Sequence, residues 1–256
     1  VSDSLFDLRD RVALVTGASS GLGRHFARTL AGRGARVALA ARRMERLEEL
    51  AAELRESGAE AFPVALDVSR PDSVESAVAA VTAQLGGIDV LVNNAGIAAP
   101  AAFLELGEEA WRRTMGVNLD GVYRVARAVA RGMVERGSGG KIVNVGSIAG
   151  QRVAVGLSAY AASKAAVLHL TRAMAVELAR YDIQVNALAP GYILTDINRE
   201  FFESEAGAAM IRRIPQRRIG APEHLDGALL MLCSGASDYM TGSVIAVDGG
   251  HRQGGL

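Results

Sequence analysis

Short apolar runs alternate with amphipathic stretches along almost the whole chain. The run VALVT, between Arg11 and Gly17, is β-branched and ends at glycine, the pattern of a buried strand. In the following LGRHFARTLAGRG, Leu22, Phe26, Leu30 and Ala31 recur at helical spacing, and Gly32 and Gly34 end that helix. The same alternation predicts a second strand in ARVALAAR and a charged helix from Met44 to Glu56. A third strand at 61–66, a proline-opened helix from Pro71 to Leu85 and a fourth strand in IDVLVNN come next. Then follow a long helix around 119–134, the strand KIVNVGS, a helix near 160–180 and the strand IQVNALAP. Residues 222–232 read as a helix and 242–247 as a seventh strand.

Seven strands separated by helices imply an α/β fold with a parallel sheet covered on both faces. Right-handed crossovers make the doubly wound form its natural arrangement. No linker rich in Pro, Ser or charge divides the chain, so residues 1–256 are expected to form one domain. The least regular stretch, 191–220, is longer than a usual strand-to-helix connection and predicts one or two short helices. Its 192–219 portion is the candidate lid over a site.

Composition removes several function classes. Half of the 256 residues are hydrophobic, which excludes wholesale disorder. Lys plus Arg and Asp plus Glu are 28 each, so net charge gives no general attraction to nucleic acid. No zinc-finger spacing, aromatic platform or long basic tail speaks for that partner either. The single cysteine, Cys233, permits no internal disulfide, suits a reducing compartment and reads as core within LLMLCSG. His25, His169, His224 and His251 are scattered, and no metal site is expected. Asp3, Asp7, Arg9, Asp10 and Arg11 are unlike a signal peptide, and no apolar run reaches membrane-spanning length. The expectation is a soluble cytoplasmic protein with no membrane partner.

Candidate chemistry begins where the first strand runs into TGASSGLG, with Gly17, Gly21 and Gly23. Glycines there allow a tight turn, close approach of backbone to a pyrophosphate, and close packing of helix on strand. The helix start offers unpaired N–H groups and a positive end to an anion. The loop lacks the Gly-Lys-Ser/Thr ending of a nucleoside-triphosphate loop. At the end of the second strand, where an NAD site carries a carboxylate, stand Ala41, Arg42 and Arg43. Arg42 can pair with a 2′-phosphate. The other reading makes both arginines solvated residues at a helix start.

SAYAASK places Tyr160 and Lys164 on one helix face, roughly 5–6 Å apart at Cβ. A neighbouring ammonium favours the phenolate and should lower the tyrosine pKa from about 10. Tyr160 can then give or take a proton at a reacting oxygen. Ser147, after the fifth strand, sits on the carboxyl edge where open α/β sheets bind ligands. Its hydroxyl can donate to an oxygen on which negative charge develops. GSIAG around it is not the nucleophile elbow of hydrolases.

Together these motifs resemble the short-chain dehydrogenase/reductase family. Thr16 to Gly23 meets Thr-Gly-x-x-x-Gly-x-Gly, and Asn93-Asn94-Ala95-Gly96 matches the motif after the fourth strand. Asn118, Ser147, Tyr160 and Lys164 match the catalytic set, and Pro190-Gly191 the motif after the sixth strand. The resemblance covers nearly the whole chain and implies a single Rossmann domain. It is closest in type to 3-oxoacyl thioester (acyl carrier protein) reductases, including the VDGG ending.

The resemblance implies NADP(H) as cofactor, with NAD(H) also open. Ser19, Ser20, Leu22 and the loop glycines would meet the pyrophosphate, Arg42 and Arg43 the 2′-phosphate, and Asp67 and Val68 the adenine; the other reading has Asp67 cap the next turn, since Ser69 and Pro71 follow. Asn94, Ala95 and Gly96 would flank the cofactor, and Lys164 would bond the nicotinamide ribose beside Tyr160. Pro190, Gly191, the Ile193 backbone and the Thr195 hydroxyl would run along the nicotinamide, whose positive ring also favours the phenolate. Asn118 would open a helix and hold a water chain from Lys164 to solvent; Asn93 and Asp196 read as structural.

The function implied is reduction of a ketone, foremost a 3-oxoacyl thioester, by NADPH. One alternative is a dehydrogenase oxidising a secondary alcohol, sugar, cyclic polyol or steroid. Another is a non-catalytic nucleotide-binding scaffold, against which the complete catalytic set speaks. Residues 96–99, 153–157, Tyr192 and 196–215 are expected to line an apolar pocket suited to an uncharged carbonyl. Arg212, Arg213, Arg217 and Arg218 could meet a phosphorylated carrier or simply face solvent. By family analogy the chain forms a homotetramer, otherwise a homodimer, through helices 119–136 and 158–180, with the tail 251–256 near a subunit boundary or loose.

Overall fold

The computed structural model describes residues 3–195 and 198–254. Its strands are β1 (Val12–Thr16), β2 (Arg36–Ala41), β3 (Ala61–Ala65), β4 (Val90–Asn93), β5 (Gly140–Val145), β6 (Ile183–Pro190) and β7 (Val244–Val247). They form one seven-stranded parallel sheet in the order β3-β2-β1-β4-β5-β6-β7. Val15 of β1 lies opposite Leu39 on one side and Val92 on the other. Pro63 is tolerated within β3 because that strand is at the sheet edge.

Side chains alternate across a strand, so each central strand feeds two cores. Ala13 and Val15 pack with Phe26 of α1 (Gly21–Ala31), Leu50 of α2 (Met44–Glu56) and Leu229 of α9 (Asp226–Cys233). Val12 and Leu14 pack with Val81 of α3 (Pro71–Leu85), Val129 of α5 (Gly121–Arg136) and Ala175 of α6 (Ser158–Leu178). Helices thus cover both faces, as the continuous apolar strands require. The strand order reverses between β1 and β4, which opens a crevice at the carboxyl edge.

Helix α4 (Glu108–Met115) has no counterpart in the hydrophobic pattern, because Thr114 is its one buried residue. A π-helical turn, Gly116–Asp120, carries the chain from α4 into α5. Asn118 therefore lies inside a helical path and does not cap a helix start, which corrects that expectation. The segment expected to form a lid contains two short helices, α7 (Arg199–Glu203) and α8 (Glu205–Ile211). Asp196 lies outside the described residues, as do 255–256 of the tail. The rest of the tail turns back onto its own chain, where the Arg152 guanidinium donates to the carbonyls of His251 and Gly254, each at 2.6 Å. No helix among the described residues is long and apolar enough to cross a membrane.

Candidate active site

A cavity of about 970 Å³ opens at the carboxyl edge of the sheet, over the point where the strand order reverses. Its floor is the turn from β1 into α1. Gly21 (φ +53°) lines the cavity, and nothing stands within 4 Å of a Cβ added there. Ser20, at the N-cap of α1, makes no side-chain bond to the helix. The first N–H groups of α1 are thus left for an anion in the cavity. The Ser19 and Ser20 hydroxyls instead accept from the Arg43 guanidinium, at 2.9 and 2.8 Å. Arg43 therefore ties the end of β2 to the glycine turn, a contact that its place in the sequence does not announce.

Gly17, Leu22, Arg42, Asp67 and Val68 also line this end. Gly23 does not; a Cβ there would stand 2.3 Å from the Gly17 carbonyl oxygen, so close packing of the helix start on the turn requires glycine at this position. Arg42 is exposed and makes no hydrogen bond among the described residues. The Asp67 carboxylate accepts from the Ser69 N–H and hydroxyl at 3.0 and 2.6 Å. Those bonds, with the charge of Arg42 behind them, hold its carboxyl below the usual range. Asp67 is thus both a turn cap and part of the cavity wall.

Thr16 joins this floor to the next strand. Its hydroxyl oxygen accepts from the Asn94 and Ala95 N–H groups, both at 3.0 Å, while Asn94 Nδ2 donates to the Thr16 carbonyl at 3.0 Å. Asn94, Ala95 and Gly96 line the cavity. Asn93 lies deeper and donates to the Val122 carbonyl and to Asn144 Oδ1.

The chemical groups stand where β5 ends and α6 begins. Lys164 is buried, donates to the Val145 carbonyl at 2.8 Å, and lies 5.8 Å from the centroid of the Tyr160 ring. Burial lowers its pKa to about 8. Tyr160 moves upward: burial raises it, the Ser147 hydroxyl acts in the opposite direction, and Tyr192 adds to the rise. Desolvation thus outweighs the ammonium, which is one of the two causes expected to lower this phenol; the other is the positive nicotinamide ring. The ammonium is bonded to a backbone carbonyl, and desolvation of the phenolate dominates.

Asn118 is fully buried beneath the cavity and does not line it. Its Oδ1 accepts from the Ile97 N–H at 2.8 Å, and its Nδ2 donates to the Ile97 carbonyl at 2.9 Å and to Ser163 Oγ at 3.0 Å. Ser163 in turn donates to the Tyr160 carbonyl at 2.7 Å. Ser163 was not anticipated; its place one residue before Lys164 was the available signal. A Cβ added at Gly96 would stand 3.4 Å from Asn118 Oδ1 and 3.5 Å from Lys164 Nζ.

Pro190, Gly191, Tyr192, Ile193 and Thr195 complete this end of the cavity. Asn198 holds the segment, accepting from the Thr195 N–H at 2.8 Å and donating to the Ile193 carbonyl at 2.9 Å. The expected walls are corrected: of residues 96–99, 153–157 and 198–215, only Gly96, Ile97, Ala98 and Asn198 line the cavity, and Phe201, Phe202, Met210 and Ile211 are not part of its wall. Val153 and Val155 are 91% and 103% exposed and lie outside the cavity, because their loop turns outward. The lining is not uniformly apolar either: Glu108, Glu109, Arg112 and Arg113 of α4 contribute to it. The lid arginines are not among its lining residues; Arg217 donates to the Arg212 carbonyl and Arg218 meets His224. Cys233 is buried in the core, its thiol pushed up to about 12 by desolvation.

A doubly wound sheet with a glycine turn at one end of its crevice and a Tyr160–Lys164 pair at the other defines an oxidoreductase of the nucleotide-binding α/β kind. Residues 11–206 match the short chain dehydrogenase family, and the chain belongs to that family. It is similar to the 5-keto-D-gluconate 5-reductase of Escherichia coli strain K12, 39% identical over 97% of this chain and 98% of the relative. It is also similar to the 3-oxoacyl-(acyl-carrier-protein) reductase of Vibrio cholerae, 38% identical over 95% of this chain and 98% of the relative. Among solved structures, the gluconate 5-dehydrogenase of Burkholderia cenocepacia in complex with NADP and tartrate matches with a TM-score of 0.94 at 40% identity, covering 98% of both chains.

Proposed function

We propose that the chain interconverts a ketone and a secondary alcohol with NADP(H), on a small hydroxylated substrate of the sugar-acid or polyol type. The observation that carries the reading is the arrangement of Ser147, Tyr160 and Lys164 at one end of a cavity whose other end is the open start of α1. A dinucleotide phosphate suits these residues. The uncapped N–H groups of α1 would hold the pyrophosphate, and the unpaired Arg42 guanidinium the 2′-phosphate. Asp67 and Val68 would border the adenine, and Ile193 and Thr195 the nicotinamide. When bound, the nicotinamide supplies the hydride-transfer chemistry.

The chain's own groups manage the oxygen. Ser147 Oγ accepts from the Ala149 N–H at 3.0 Å, which leaves its own proton to donate to the substrate oxygen. The raised phenol of Tyr160 is protonated at neutral pH and gives its proton to that oxygen as the carbonyl is reduced. Lys164, at about 8, exchanges protons near neutral pH and would bond the ribose. Asn118 fixes Ile97 and Ser163 around this group and is assigned the anchor of a water chain. Exposed Tyr123 and Val176, beside the groove between α5 and α6, support assembly of subunits through these helices.

The mixed charge of the cavity wall and the names of the gluconate-handling relatives support the sugar-acid class. The 3-oxoacyl thioester reading keeps its support in the Vibrio relative and in the partly exposed Phe201 on the lid. The test is NADPH consumption with 5-keto-D-gluconate and, separately, with a short 3-oxoacyl thioester, each repeated with NADH. Faster turnover of the keto acid with NADPH is expected; turnover of the thioester alone refutes the substrate class.

A further inference from the structure

We propose that Tyr192 is a specificity-determining residue whose phenol hydroxyl binds a substrate hydroxyl on the carbon next to the reacting carbonyl. This rests on the oxidoreductase reading above and narrows its substrate to an α-hydroxy ketone and the matching vicinal diol.

Tyr192 lies just beyond β6 and lines the same cavity as Ser147 and Tyr160. It is held from several directions. Its carbonyl accepts from the Gly220 N–H at 3.0 Å. Its ring meets Phe202 of the lid edge-on, with centroids 5.5 Å apart, and lies 5.3 Å from the His251 ring of the C-terminal turn. Arg152 ties that turn to the loop after Ser147. A side chain fixed in this way presents one geometry to a ligand.

Its hydroxyl has no hydrogen-bond partner among the described residues, yet it is not one of the buried unsatisfied atoms. Burial of the ring raises its pKa, so the phenol keeps its proton at neutral pH. It also acts electrostatically on Tyr160, which sets the two phenols in one neighbourhood. Ser147 and Tyr160 are occupied by the reacting oxygen. Tyr192 is then the remaining hydroxyl of the three, free to donate to or accept from an oxygen one carbon away. A 3-oxoacyl thioester carries no hydroxyl on either carbon flanking its reacting carbonyl. It would cover the Tyr192 hydroxyl without pairing it, which a site built to bond a hydroxyl strongly disfavours.

The experiment compares the full chain with Tyr192→Phe on paired ketones: 5-keto-D-gluconate with its 4-deoxy and 6-deoxy analogues, and acetoin with 2-butanone. Melting temperature and NADPH binding, read by fluorescence, accompany the rates. We expect the wild type to favour the hydroxylated members, and the variant to lose about tenfold in kcat/KM on them, chiefly through KM, with the deoxy members within about twofold. Melting and NADPH binding stay unchanged. A preference that survives in the variant overturns the inference and leaves the oxidoreductase reading standing. Equal wild-type rates on both members of each pair overturn it likewise. No turnover of any ketone by NADPH-bound wild type overturns that reading and this inference together.

Discussion

Asn118 holds both backbone groups of Ile97, accepting from its N–H at 2.8 Å and donating to its carbonyl at 2.9 Å. The side chain substitutes for a strand partner and fixes the segment that follows Gly96. Asn118→Ala would leave the half-buried Ile97 groups without their partner and take one bond from the buried Ser163. Each such loss costs roughly 1–3 kcal/mol. The expected outcome is a lower melting temperature together with a fall in kcat. Unchanged melting would show that Asn118 does not hold the loop.

Tyr160→Phe removes the proton donor and keeps the ring that fills the wall. Cofactor binding, followed by fluorescence titration, should stay within about twofold, while turnover falls by about 10²-fold or more. Near-normal turnover would refute the acid–base role of this residue.

The two arginines after β2 should separate. Arg42 is exposed in the cavity wall and makes no hydrogen bond among the described residues, whereas Arg43 holds Ser19 and Ser20. Arg42→Ala should weaken NADPH binding by about tenfold or more and leave NADH nearly unchanged, since only the former carries the extra phosphate. Arg43→Ala should weaken both cofactors alike, because it loosens the turn that serves their common pyrophosphate. Calorimetric titration of both nucleotides checks this; equal losses in Arg42→Ala would remove its assignment to the 2′-phosphate.

Much of this arrangement could be read from the chain because its signals are local. The helices Met44–Glu56 and Pro71–Leu85 have the expected bounds, since apolar spacing and an N-terminal proline act within a few residues. The cavity gathers nearly every expected cofactor residue because the strand ends and the glycine turn leave their backbone one course. What escaped is tertiary. α4 buries only Thr114 and so prints a weak apolar pattern. The bond from Arg43 to Ser20 joins residues far apart in sequence. The direction of the Tyr160 shift depends on how deeply the phenol is buried and where the Lys164 ammonium points.

Lys164 makes stability depend on pH in a direction that can be worked out. Its pKa is about 8 in the folded chain, against an ordinary 10.5. Below pH 8 both states hold the proton, and folding bears the whole cost of burying the charge. Between 8 and 10.5 the unfolded chain holds more protons than the folded one, so this contribution makes the fold more stable as pH rises. Over the full window it is worth roughly 3 kcal/mol. Tyr160 and Cys233, both raised, act oppositely at higher pH, so raw stability is a poor readout. The difference between wild type and Lys164→Met isolates the lysine. In urea unfolding of the cofactor-free protein, wild type should gain on Lys164→Met between about pH 7.5 and about pH 10. A difference that stays flat, or falls, would mean that the Lys164 ammonium is not destabilised by its burial.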